Sequence, residues 1–219
     1  MSKMVARDGA AKWKKSAAKM LVGAAVGLGA SVAVTTLAGA PLLDAMGPSR
    51  LALAAVGLAY LLMAAMVGFG LAAPRAGAQL LNVGDAEELR EERAGMMLSV
   101  VTMGAIGLVL TLLALASAPG FAGPVPAGLA LGALVLATVG GVIASWAWRD
   151  RYDELNRQLG LEGCFWAFCL SWVLLTLWAA ADFLGFGAAL TPVDVITTLA
   201  AMMLLGSFVA IGRRGMMSR

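Results

Sequence analysis

The chain has 219 residues, is 61% hydrophobic and has a mean hydropathy of +0.87, well above a soluble domain. Its 16 Lys and Arg against 13 Asp and Glu give a formal net charge of +3, and it has no histidine. The missing imidazole excludes His-based haem, zinc or copper ligation, Ser-His triads and Cys-His nucleophile pairs.

Six apolar stretches divide the chain, at about 18–40, 51–73, 95–117, 125–147, 164–186 and 193–212. At 1.5 Å per residue, about 20 helical residues cross a hydrocarbon core of ~30 Å. The runs are continuous rather than alternating, which excludes a β-barrel, and backbone satisfaction in lipid then requires helices. The expected fold is all-α, a polytopic transmembrane bundle of six spans behind a short arm.

Residues 1–17 form a polybasic arm, which with Lys19 at the start of the first span carries every lysine of the chain. Lys12, Lys15 and Lys19 share a helical face, with Lys14 and Trp13 beside them, a pattern suited to anionic headgroups. A docking arm for a protein partner is the alternative. Ala38-Gly39-Ala40 resembles a signal-peptide cleavage site, but Pro41 follows directly, so 18–40 reads as a retained first span. Its Gly23, Gly27 and Ser31 lie on one face, where helices approach closely.

Pro41 to Arg50 reads as a turn, helped by Gly47-Pro48. After the second span, Asp85-Ala86-Glu87-Glu88 is a capping-box pattern that predicts a helical extension over about 85–94, with charge continuing through Glu91, Glu92 and Arg93. Pro119, Gly120, Gly123, Pro124 and Pro126 break the helix between the third and fourth spans. Gly128 and Gly132 give the fourth span a small face of its own, and intramolecular packing is the expected use of it. That span is expected to continue as an extension over about 148–159, with Gly160 as the stop and Arg149, Asp153 and Arg157 on one alternating-charge face.

Cys164 and Cys169 open the fifth span about 140° apart on a helix, so they do not pair and read as small apolar residues. Asp182 lies about 18 residues further on, roughly 27 Å along that span and near its outer end. In Thr191-Pro192-Val193-Asp194, Thr191 suits an N-cap, Pro192 the first helical position and Asp194 the capping-box acid. Trp146, Trp148 and Trp166 fall where an interfacial aromatic belt is expected, and the methionines read as gap-filling side chains.

The basic residues fix the orientation. Every Lys and Arg but Arg50 falls in the arm, the second and fourth connections or the C-terminal tail, so the positive-inside rule places both termini in the cytoplasm. The basic excess is therefore a topology and lipid signal, not nucleic-acid binding. The expected location is a bacterial cytoplasmic membrane.

A faint repeat relates Glu87-Glu88-Leu89-Arg90 to Asp153-Glu154-Leu155-Asn156. Residues 150–219 also resemble a group of small prokaryotic membrane proteins with a DER-like motif, two membrane helices, a Pro-containing turn and a basic tail. Asp150-Arg151-Tyr152-Asp153-Glu154-Leu155, Thr191-Pro192 and Arg213-Arg214 carry that resemblance. It implies a fold pattern and no activity.

The chemical inventory points to a non-enzymatic membrane protein that works by protein contact, as an accessory or scaffolding subunit or a membrane-bound regulator. No cofactor or metal is implied. Glu87, Glu88, Glu91, Glu92, Arg149, Asp153 and Arg157 are the candidate contacts to a protein partner or a second copy. The alternative is a small transporter or channel with an ion site formed by Asp182, Asp44 and Asp194 at the outer mouth.

Overall fold

The computed structural model describes residues 39–73, 93–149, 154–187 and 189–214. They form five helices: α1 Ala40–Ala72, α2 Arg93–Ala114, α3 Ala127–Trp148, α4 Glu154–Phe183 and α5 Pro192–Arg213. All five are long and apolar enough to cross a membrane, with mean hydropathies from 1.8 to 2.3. They coincide with the second to sixth predicted spans. The first, at 18–40, lies outside the described residues apart from its last two.

The chain divides into two units, residues 1–45 and 46–219. Of the first, only 39–45 is described, as the opening of α1. The predicted turn over Pro41–Arg50 is instead helix, broken at Gly47 alone. Gly47 has φ 70° and ψ 169°, a backbone conformation essentially confined to glycine, and Pro48 restarts the helix from a preset φ. One glycine-proline step makes the bend that the sequence spreads over ten residues.

The second correction concerns Gly160. The described part of α3 closes at Trp148 and Arg149, residues 150–153 of the expected extension lie outside the described residues, and α4 is helical from Glu154 through Gly160 into the fifth predicted span. Gly160 is not a stop, because a helical glycine costs only about 1 kcal/mol relative to alanine and residues just beyond it are held by tertiary contacts. Gly163 packs on Ser207 of α5, and Glu162 pairs with Arg214.

Glycines set the closest helix contacts of the second unit. A Cβ on Gly206 would stand 2.7 Å from the Ala167 backbone nitrogen, and α4 offers Gly163, Ala167 and Ser171 as its buried stripe. On the other side, Leu53, Gly57, Tyr60 and Ala64 form the buried stripe of α1. A Cβ on Gly107 would come within 2.8 Å of the Gly57 carbonyl oxygen, so α1 and α2 touch backbone to backbone. In lipid such approach gains dispersion contacts that large side chains prevent.

Tyr60 joins these two packed pairs. Its buried hydroxyl donates to the Ala200 carbonyl of α5 at 3.0 Å, across 140 residues of sequence. By contrast α3 is little buried along its length, and Gly128, Gly132, Gly140 and Gly141 all face open space. The expected intramolecular use of Gly128 and Gly132 is therefore not found among the described residues.

Candidate functional site

The polar groups of the second unit collect at the two ends of its helices. One end holds Arg50, the loop between α2 and α3, Asp182 and Asp194. The other holds Arg93, Arg149, Glu162, Arg213 and Arg214.

At the loop end, Arg50 has a specific structural task. Its Nη1 donates to the carbonyl oxygens of Ala114 at 3.1 Å and Ala116 at 2.8 Å, and its guanidinium carbon lies 4.4 Å from the Phe121 ring centroid. The last carbonyls of α2 have no intrahelical donor and carry the negative end of the helix dipole. A guanidinium satisfies both needs and stacks on an aromatic face. The loop is shaped to meet it. Ala118 and Phe121 exchange backbone hydrogen bonds of 3.0 and 2.9 Å around Pro119-Gly120, and Gly120 has φ 83°, as a type II turn requires. Ser117 Oγ then donates to the Gly123 carbonyl at 2.6 Å, and Phe121 is buried. The basic residue that departs from the charge pattern is thus a clamp between α1 and the end of α2.

Asp194 is a helix cap, as the sequence predicts. Its Oδ2 accepts from the Thr191 backbone N–H at 2.9 Å and from the Thr191 hydroxyl at 2.7 Å, while its own N–H donates to Thr191 Oγ1 at 3.3 Å. Ser49 also hydrogen-bonds this carboxylate, so Ser49 and Arg50 link the start of the α1 span to the ends of two other helices. Asp182 Oδ2 accepts from the Leu190 N–H at 3.0 Å and closes the connection between α4 and α5. Asp44 is an exposed helical residue of the first unit. No group of three or more His, Cys, Asp or Glu among the described residues is arranged to hold a metal ion.

At the arginine end, Glu162 Oε2 accepts from Arg214 Nε at 3.0 Å, and the neighbouring Arg213 stacks 5.2 Å over the Trp166 ring. Both contacts tie the end of α5 to α4. Arg149 lies 5.1 Å over the Trp146 ring at the end of α3. Arg157 reaches Glu154 at 4.0 Å, and Gln158 donates to the same Glu154 at 2.9 Å, all exposed on α4. Arg149 closes α3 and Arg157 stands in the first turn of α4, and the residues that would join them into one face, 150–153, lie outside the described residues. Asp153, Glu87, Glu88, Glu91 and Glu92 lie outside the described residues, as do Lys12, Trp13, Lys14, Lys15 and Lys19 and the 150–153 part of the DER-like stretch. Cys164 is exposed and Cys169 half-buried, and both are free thiols.

Sequence reasoning missed Tyr60, Glu162 and the clamp role of Arg50. The first two act through partners 140 and 52 residues away, which no local spacing displays. Arg50 carried a signal, as the lone basic residue of its side, but not its target.

No family model matches the chain, and no curated protein or solved structure is significantly similar to it.

Proposed function

We propose that this chain is a non-enzymatic integral membrane protein that acts by protein–protein contact, as an accessory or scaffolding subunit or a membrane-bound regulator. The observation that supports this most is the use of its outer charges. Arg50, Asp182 and Asp194 each serve to join helix ends. A transporter would need carboxylates open to a substrate, and two of the three candidates already accept backbone donors.

The contact is best placed on α3. Gly128 and Gly132 share a face with Leu136, Val139 and Ile143, and the three large residues are exposed. Lipid tails do not require small residues, whereas close approach of another helix does. Both termini are cytoplasmic in this reading, the membrane is a bacterial cytoplasmic membrane, and the partner is another membrane protein or a second copy.

The test is the mass of the tagged full chain released from native membranes in a mild detergent or a polymer disc. A complex of fixed stoichiometry, lost in Gly132→Leu with the fold retained, is expected. A chain recovered alone under every mild condition overturns the reading.

A further inference from the structure

Between α2 and α3 runs an apolar groove of about 650 Å³. From α2 it is lined by Val101, Ala105 and Val109, and from α3 by Thr138, Gly141 and Ser145. The groove extends from Leu98 and Ser145 at the arginine end to Leu110 and Leu134 near the loop. Twelve residues of helix make it about 18 Å long, slightly more than half of a ~30 Å hydrocarbon core.

Its polar groups are ordered along it. Arg149 keeps helical dihedrals at φ −50° and ψ −36°, four residues after Ser145, so it continues the groove-facing stripe of α3 one turn beyond the groove. Its guanidinium is held over the Trp146 ring. Just inside stand the hydroxyl residues Ser145 and Thr102, and beyond them the lining is apolar except for Thr138. A cation, then hydroxyls, then hydrocarbon is the order that complements a phosphate, a glycerol ester and an acyl chain.

We propose that this groove is a binding site for an anionic phospholipid of the leaflet at the arginine end, with one acyl chain between α2 and α3 and the phosphate on Arg149. The charge of Arg149 selects an anionic headgroup over a zwitterionic one, since a basic residue at a membrane surface favours anionic lipid by about fivefold. Gly141 leaves the space for the chain, because a Cβ there meets nothing within 4 Å. Leu136 belongs both to the groove lining and to the open stripe, so the lipid and protein surfaces meet there, while Gly128, Gly132 and Val139 stand outside the lining. The proposal rests on the membrane-spanning reading of the chain and not on the existence of a protein partner.

The test delipidates the purified full chain, returns it to a 1:1 mixture of phosphatidylglycerol and phosphatidylcholine, and counts retained lipids by native mass spectrometry. One tightly retained phosphatidylglycerol is expected, with the preference lowered about fivefold in Arg149→Gln. Gly141→Leu fills the groove without changing charge and loses the retained lipid, while Arg157→Gln on the exposed face of α4 changes nothing. Equal retention of the two lipids by the wild type overturns the proposal. So does an Arg157→Gln effect as large as that of Arg149→Gln, which would mark diffuse surface charge, or retention unchanged in Gly141→Leu.

Discussion

The two antiparallel pairs α2–α3 and α4–α5 use the same materials differently. Both are made of long apolar helices joined at one end by a short polar connection. In α4–α5 the glycines meet the opposite backbone, with Gly206 against Gly163 and Ala167, and the far end is tied by Glu162–Arg214. In α2–α3 the connection is firmly built, but the helices leave a groove between them and the α3 glycines face open space. The lesson is that a small-residue stripe in a membrane segment marks a close approach without saying whose. The α4–α5 stripe is satisfied within the chain, and the α3 stripe meets no partner among the described residues.

The strongest way to break this comparison is to place the same side chain on both stripes. Gly206→Leu must push apart backbones already in contact, so a loss of about 3 kcal/mol or more is expected, read as a large fall in Tm in detergent. Gly132→Leu meets nothing among the described residues, and a change under about 0.5 kcal/mol is expected in the same assay. Equal effects would mean that the α3 stripe is packed after all.

The clamp at Arg50 gives the next effect. Arg50→Gln removes the charge that satisfies two terminal carbonyls of α2 and should cost about 2 kcal/mol. Hydrogen exchange should rise first in residues 114–121, which would confine the damage to the α2–α3 connection. The smallest effect is expected for Tyr60→Phe, which deletes one interhelical hydrogen bond at about 0.6–1.5 kcal/mol. Its Tm shift should be smaller than that of Arg50→Gln, and a larger one would make Tyr60 rather than the Arg50 clamp the stronger of these two ties on α1.

Much of the fold is legible in the sequence because the signals are local. Apolar runs of about 20 residues locate all five described helices, and Thr191-Pro192-Val193-Asp194 specifies its cap by residue type alone. The departures also have local causes misjudged in extent. Gly47 makes a whole bend by itself, and Gly160 is carried through a helix that Glu162 and Gly163 hold from beyond. The candidate site was less legible. Asp182 and Asp194 are typical of ion ligands by composition, and only three-dimensional placement shows their carboxylates accepting from Leu190 and Thr191. Gly128-Gly132 and Gly163-Ala167 have the same spacing, and nothing in that spacing distinguishes a buried stripe from an open one.

Site-specific photo-crosslinking in native membranes tests the central claim most directly. A photoreactive side chain is placed at Val139 on the open stripe of α3 or at Leu177 on α4, both exposed apolar positions. A discrete protein adduct from Val139 and none from Leu177 is the predicted result. Lipid adducts alone at both positions would contradict it.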